Sequence, residues 1–325
     1  MRTLFIGSTR RGFLTLQALL DVAEAVVGVV NLAQHEHETE RYEAPIRQLA
    51  ERRRLALREA KSLQSPDLVA WARDELGAEV AFAVGVRVLM PKALYSAFPR
   101  DCWGVHDSLL PAYRGFAPLN WAIINGETET GVSLFRVGEG VDTGDILVQR
   151  RVPIGPVETA PEVYEKICAA TVEAVREGHR LLRDGVARPT PQDHGRATHT
   201  CSRTPADGLI DWRQSTAAIF NLVRALTFPY PGAFSHLHGR PLYILAAEPV
   251  ADAPVYVGRI PGRVVKVGTA GDVEVLTGDG VLRLREISID GTTRRKPAEV
   301  IRSVREVLGP EPVPPGGLPA APSPL

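Results

Sequence analysis

Short apolar runs alternate with amphipathic stretches along the first half of the chain. TLFIG (3–7), AVVGVVNLA (25–33) and EVAFAVGV (79–86) are near-continuous and rich in β-branched residues. Such runs fit strands buried on both faces of a sheet. Between them GFLTLQALLDV (12–22), APIRQLAERRR (44–54) and SPDLVAWARDEL (65–76) mix apolar and polar positions in the manner of surface helices. The alternation predicts βαβ units, hence an α/β fold: a Rossmann-like, mostly parallel sheet with helices on both faces.

WGVHDSLLPAYRG (103–115) follows, then a helix-like APLNWAIINGE (117–127), two strand-like runs, GVSLFRVG (131–138) and DILVQRRVPI (145–154), and a long helical pattern over 159–185. From residue 187 the chain turns polar and rich in Pro, Gly, Thr and His, which reads as a linker over 187–206. Beyond it come one helix, STAAIFNLVRALT (215–227), and short strands with glycine turns (262–268, 272–280, 281–290). That is the pattern of a small OB-fold-like C-terminal β-barrel. The predicted organisation is a catalytic domain over 1–186, the linker, a barrel over 207–308 and a Pro-rich disordered tail over 309–325.

Composition narrows the function. Lys plus Arg (38) balance Asp plus Glu (38) over 325 residues, which argues against a general nucleic-acid or membrane-surface binder. Cys102, Cys168 and Cys201 stand singly, without metal-ligand spacing, so no metal is expected and a reducing cytoplasm is the natural location. The N-terminal apolar run is too short for a signal peptide, and no run of about 18 apolar residues suggests a membrane span.

Candidate chemistry gathers at strand ends. GSTRRG (7–12) joins a strand to a helix, where a helix N-terminus receives anions, but it lacks the GxGxxG spacing of a dinucleotide site. Arg10 and Arg11 in this turn are candidate substrate contacts. His106 ends a probable central strand, the edge at which open α/β sheets bind ligands. Asp142 lies in a glycine-bracketed loop, GVDTGD (140–145), from which a carboxylate can orient that histidine for acid–base work. His106, Asp107 and Ser108 do not form a hydrolytic triad, because successive residues on an extended strand point to opposite faces.

HDSLLPAYRG (106–115), APLNW (117–121), NGETETGV (125–132) and VDTGD (141–145), continued by SRTPADG (202–208) and PYPGA (229–233), resemble the formyltetrahydrofolate-dependent formyltransferase family over nearly residues 1–305. Within that family the run is very similar to that of the domain acting on UDP-4-amino-4-deoxy-L-arabinose. The resemblance implies a Rossmann-like catalytic domain, an OB-like barrel, and 10-formyltetrahydrofolate as formyl donor. It assigns catalysis to His106 and Asp142, which manage the proton of an attacking amine. It assigns the donor to Arg87, Val88 and Leu89 and to Leu109, Leu110, Pro111, Arg114 and Gly115, and adds Asn120 as an acceptor contact.

One departure stands out. Where the family has an asparagine that supports the developing oxyanion, two residues before the histidine, this chain has Gly104. Loss of one oxyanion donor costs about 2.7–4 kcal/mol. Either another donor replaces the amide, or Gly104 makes room for a larger acyl donor, or the protein is a slow member or a 10-formyltetrahydrofolate hydrolase.

The acceptor is read from charge. Residues 35–43 carry four acids and one arginine, and residues 205–308 carry thirteen bases against eleven acids. Both disfavour tRNA, whose phosphates dominate its affinity. Arg283, Arg285, Arg294, Arg295 and Lys296 are the one basic cluster against this. The expected acceptor is therefore a small amine, an amino sugar or a natural-product amine, with no membrane partner and a homodimer left open.

Overall fold

The computed structural model describes residues 1–22, 25–34 and 40–309. In chain order the first part comprises β1 (Arg2–Gly7), α1 (Thr9–Val22), β2 (Ala25–Leu32), α2 (Glu43–Arg52), β3 (Ala56–Ala60), α3 (Pro66–Ala70), β4 (Val80–Val84), α4 (Lys92–Tyr95) and β5 (Cys102–His106). There follow β6 (Arg114–Gly115), α5 (Pro118–Ile124), β7 (Glu129–Arg136), β8 (Ile146–Pro153), α6 (Ala160–Arg183) and β9 (His199–Thr200). The last part holds α7 (Thr216–Leu226), β10 (Ala233–Leu237), β11 (Arg240–Pro249), β12 (Val264–Val267), β13 (Val273–Leu276) and β14 (Val281–Ser288).

Seven strands form one sheet in the order β3-β2-β1-β4-β5-β7-β8. The first five pair in parallel, and β7 and β8 add an antiparallel edge. Both faces are covered, as the unbroken apolar runs of β1 and β4 require. Leu4, Ile6, Ala81 and Ala83 pack with Leu68 and Trp71 on one face. On the other, Phe5 lies beside Gly12 of α1 and Phe82 beside His179 of α6. The N-terminus of α6 is fixed by a capping box, in which the Thr159 N–H donates to Glu162 Oε2 at 2.7 Å. Strand order reverses between β1 and β4, so their carboxyl ends, with that of β5, open the crevice where such sheets receive ligands.

Three sequence expectations need correction. β3 was not foreseen: ALREA is a half-exposed edge strand with little apolar signal. The amphipathic stretch over 65–76 is not one regular α-helix, since α3 passes into a π-helical turn at Trp71–Glu75. Residues 187–203 are not a linker, because the chain divides into compact units at Met1–Arg203 and from Thr204 onward. Thr190 bridges Ile146, β9 pairs with β6, and Gln192 is buried. A polar composition hid this because the segment's contacts are hydrogen bonds rather than apolar packing.

In the second unit five antiparallel strands run in the order β10-β11-β14-β13-β12. Residues 306–309 bridge the two edge strands. Val264 N–H donates to the Glu306 carbonyl and Leu308 N–H to that of Gly262 beside β12, while Gly309 N–H donates to His236 of β10. Gly309 thus belongs to this unit rather than to the expected tail, whose remaining residues, 310–325, lie outside the described residues. Among the described residues no helix is long and apolar enough to cross a membrane.

Candidate active site

β5 carries His106 to the carboxyl edge of the sheet, and the β7–β8 loop carries Asp142 to meet it. His106 Nδ1 lies 3.5 Å from Asp142 Oδ2, and both side chains are largely buried. The other ring nitrogen, Nε2, lies 2.7 Å from the Tyr113 carbonyl. A carbonyl only accepts, so Nε2 carries the proton in the neutral ring and Nδ1 presents its lone pair toward Asp142. Burial pushes the His106 pKa below its ordinary value; Asp142 and the Tyr113 carbonyl oppose this, and Arg11 adds to it. A neutral imidazole next to a carboxylate can take up a proton that the carboxylate then stabilises.

Both partners are held by strained backbone. Tyr113 and Asp142 have φ of 58° and 55°, a left-handed conformation that costs a non-glycine residue about 1–2 kcal/mol. Tyr113 is fixed at three points: its N–H donates to Thr198 Oγ1 at 2.8 Å, its hydroxyl to Glu127 at 2.7 Å, and its carbonyl accepts from His106. Asp142 Oδ2 accepts the Gly115 N–H at 2.9 Å. Gly115 itself, at φ 106°, must be glycine, because a Cβ there would fall 2.6 Å from the Thr200 carbonyl of the neighbouring strand.

The remaining candidates divide. Arg87, Val88 and Leu89 lie exposed on the loop after β4, which starts at Gly85 with its carbonyl accepting Ser8 Oγ–H at 3.0 Å. Leu109 and Pro111 are half-buried on the loop after β5. Leu110, Arg114 and Asn120 are buried. Leu110 is tied through its N–H to Ser133 and through its carbonyl to Gln149. Arg114 is committed to Gln192 and His194. Arg11 forms an ion pair with Asp107, next to His106, whereas Arg10 turns to Glu165 of α6. The two arginines of one turn thus serve different places.

Gly104 shares the face of His106 on β5 and sits opposite Phe135 of β7. A Cβ placed on it would lie 3.1 Å from the Phe135 ring and 3.1 Å from Val137 Cγ2. A side chain at this position therefore requires Phe135 or Val137 to shift, which does not favour Gly104 as an opening for a larger acyl donor. Sequence reading also missed Tyr113, Gln192 and Thr198, whose roles rest on contacts between distant segments; the positive φ of Tyr113 left no sequence signal.

Residues 10–177 match the Formyl transferase family and residues 203–305 the Formyl transferase, C-terminal domain. The chain belongs to the formyl transferase family. It is a one-carbon transferase, and formyltetrahydrofolate is its formyl donor. It is 38% identical over 299 residues to a methionyl-tRNA formyltransferase of Sorangium cellulosum, covering 91% of this chain and 94% of the relative. The same enzyme of Geotalea uraniireducens is 35% identical, covering 90% and 92%. Among solved structures this formyltransferase resembles WlaRD, a sugar 3N-formyl transferase crystallised with dTDP and 5-N-formyl-THF (TM-score 0.64, 15% identity, 87% and 96% covered). It also resembles HypX of Aquifex aeolicus in complex with tetrahydrofolic acid (TM-score 0.61, 20% identity, 92% of this chain and 46% of that one). These structures share the fold.

Proposed function

We propose that the enzyme moves the formyl group of 10-formyltetrahydrofolate to the amine of a small acceptor, an amino sugar or a natural-product amine, with His106 and Asp142 as the reacting pair. The amine nitrogen attacks the formyl carbon, a nitrogen–carbon bond forms, and the bond from that carbon to N10 of the folate breaks. The amine's proton passes to the His106–Asp142 pair and from there to the departing N10. The loop 85–89, exposed at 87–89, and the loop after β5, at the same sheet edge, are the donor site in this reading. A reducing cytoplasmic location accompanies it.

The observation that carries the small acceptor is the pairing of three of the five residues of the basic cluster with carboxylates. Arg283 pairs with Glu248 at 2.9 Å and Glu274 at 2.8 Å, Arg285 with Glu248 at 2.5 Å, and Arg294 with Glu286 at 3.0 Å. Arginines already facing carboxylates offer little to phosphates, on which tRNA affinity depends. The names of the relatives favour a second acceptor, methionyl-tRNA. The acidic run over 35–43 speaks against it in sequence; residues 35–39 lie outside the described residues.

The deciding assay incubates the enzyme with 10-formyltetrahydrofolate and, separately, methionyl-tRNA, UDP-4-amino sugars, dTDP-amino sugars and aminoglycoside-like amines, reading acceptor and folate by mass spectrometry. A formylated amino sugar or small amine supports the proposal. Formylation of methionyl-tRNA alone replaces it with the second reading, and formate release without an acceptor makes the protein a hydrolase.

A further inference from the structure

Residues 187–203 cross three parts of the site. Thr198 N–H donates to the Pro111 carbonyl and its Oγ1 accepts from Tyr113 N–H, Thr200 Oγ1 donates to the Arg114 carbonyl, and Trp121 Nε1 donates to the Cys201 carbonyl. At the centre of this strap is Gln192, 7% exposed. Its Oε1 accepts from Arg114 Nη2 at 2.6 Å and Nε at 3.2 Å. Its Nε2 donates to the Asp142 carbonyl at 2.9 Å and the Gly144 carbonyl at 2.6 Å.

The amide has no alternative orientation. A guanidinium only donates and a carbonyl only accepts, so the oxygen must face Arg114 and the nitrogen the β7–β8 loop. All four contacts match the capacity of one primary amide, two accepted and two donated. A carboxylate of the same length would keep Arg114 but turn lone pairs toward two carbonyls. An apolar side chain would leave the buried Arg114 guanidinium and both carbonyls short of a partner.

From this geometry we infer that Gln192 is a positioning residue: its amide, anchored by Arg114, holds the left-handed Asp142 backbone so that the carboxylate stands against His106. The inference rests on the reading of His106 and Asp142 as the reacting pair. Gln192 touches no reacting atom itself. Its effect passes through the main chain of residues 142–144 to the Asp142 side chain, which has a second tether at Gly115 N–H.

The test compares wild type with Gln192→Glu, Gln192→Ala and Arg114→Lys as full-length chains. The His106 titration is read by NMR on histidine-labelled free enzyme, which needs no acceptor. Turnover of 10-formyltetrahydrofolate is read with the acceptor that the assay above identifies. The charged groups facing His106 are Asp142, Arg11 and, through Arg11, Asp107. Loss of the clamp lets Asp142 withdraw, so the His106 titration moves to lower pH and kcat falls about tenfold, while in the two Gln192 variants KM for the folate stays unchanged. Gln192→Glu keeps its link to Arg114 and stays folded, with a lowered Tm, while showing these shifts. If Gln192→Ala does not fold, Gln192→Glu and Arg114→Lys carry the test. A folded Gln192→Glu enzyme with wild-type His106 titration and kcat overturns the inference. His106→Ala with undiminished turnover would instead overturn the reading of the site, and the NMR titration distinguishes the two failures.

Discussion

Gly104 and Phe135 face each other across the β5–β7 pair, and the Phe135 ring lies 3.1 Å from where a Cβ at 104 would sit. The position two residues before His106 is therefore neither an amide donor nor an open space.

Restoring an amide there will not restore a donor. Gly104→Asn forces the side chain against Phe135 and Val137, an overpacking that costs about 1–3 kcal/mol. We expect lowered stability in urea denaturation and no gain in turnover. Phe135→Leu in the same chain relieves part of the strain, so the double mutant is more stable than the sum of the single changes allows. Additive losses would show that the ring is not the obstacle.

Removal of the reacting groups tests the site directly. His106→Ala and Asp142→Asn each lower kcat by about a hundredfold or more, the contribution of a positioned acid–base group. Binding of 10-formyltetrahydrofolate, measured by calorimetry, changes little in either variant, since the proposed donor loops keep their own residues.

Burial of His106 sets a pH dependence. Its pKa is lower folded than unfolded, so on acidification the unfolded chain takes up this proton first. Stability from this group is therefore present above the ordinary histidine value of about 6.5 and is lost as pH falls through it toward the folded value. Comparing wild type with His106→Asn in denaturant titrations at several pH values isolates this from the other histidines. A steeper loss in wild type between pH 7 and 5.5 is the expected outcome.

Arg11 and Asp107 form a largely buried ion pair beside the imidazole. Arg11→Ala leaves the Asp107 carboxylate uncompensated, at a cost of about 3–5 kcal/mol for a buried pair. Because Arg11 lowers the His106 pKa, its loss moves the NMR titration of His106 to higher pH, opposite to the effect expected of Gln192→Glu. Asp107→Asn keeps the guanidinium and shifts it the other way.

The acid partners of the second unit keep its arginines from phosphate. Glu248→Gln with Glu286→Gln releases Arg285 and Arg294, and we expect about tenfold tighter binding of initiator tRNA at low salt, with a steeper salt dependence. Filter binding across a salt series measures both. Equal affinities before and after would mean that this face takes no part.

The sequence alone determined the fold class and the layering of the first sheet, and it named His106 and Asp142 as the candidate pair that the structure brings to 3.5 Å of each other. Apolar runs such as EVAFAVGV and the glycine-bracketed GVDTGD loop are local patterns, and local patterns survive in one dimension. The family signature was legible for the same reason. The edge strand β3 was lost because its polar residues carry no period. Tertiary structure alone decided that Gly104 is closed off by Phe135, that Arg114 turns inward while Leu89 stays open, and that residues 187–203 brace the site. Each of these depends on pairing between segments far apart in the chain: Gln192 reaches Asp142 across fifty residues, through a carbonyl that every residue possesses. A backbone acceptor and a left-handed φ leave no mark on composition or periodicity, so the candidate residues of this site could be named from the chain, but their alignment could not.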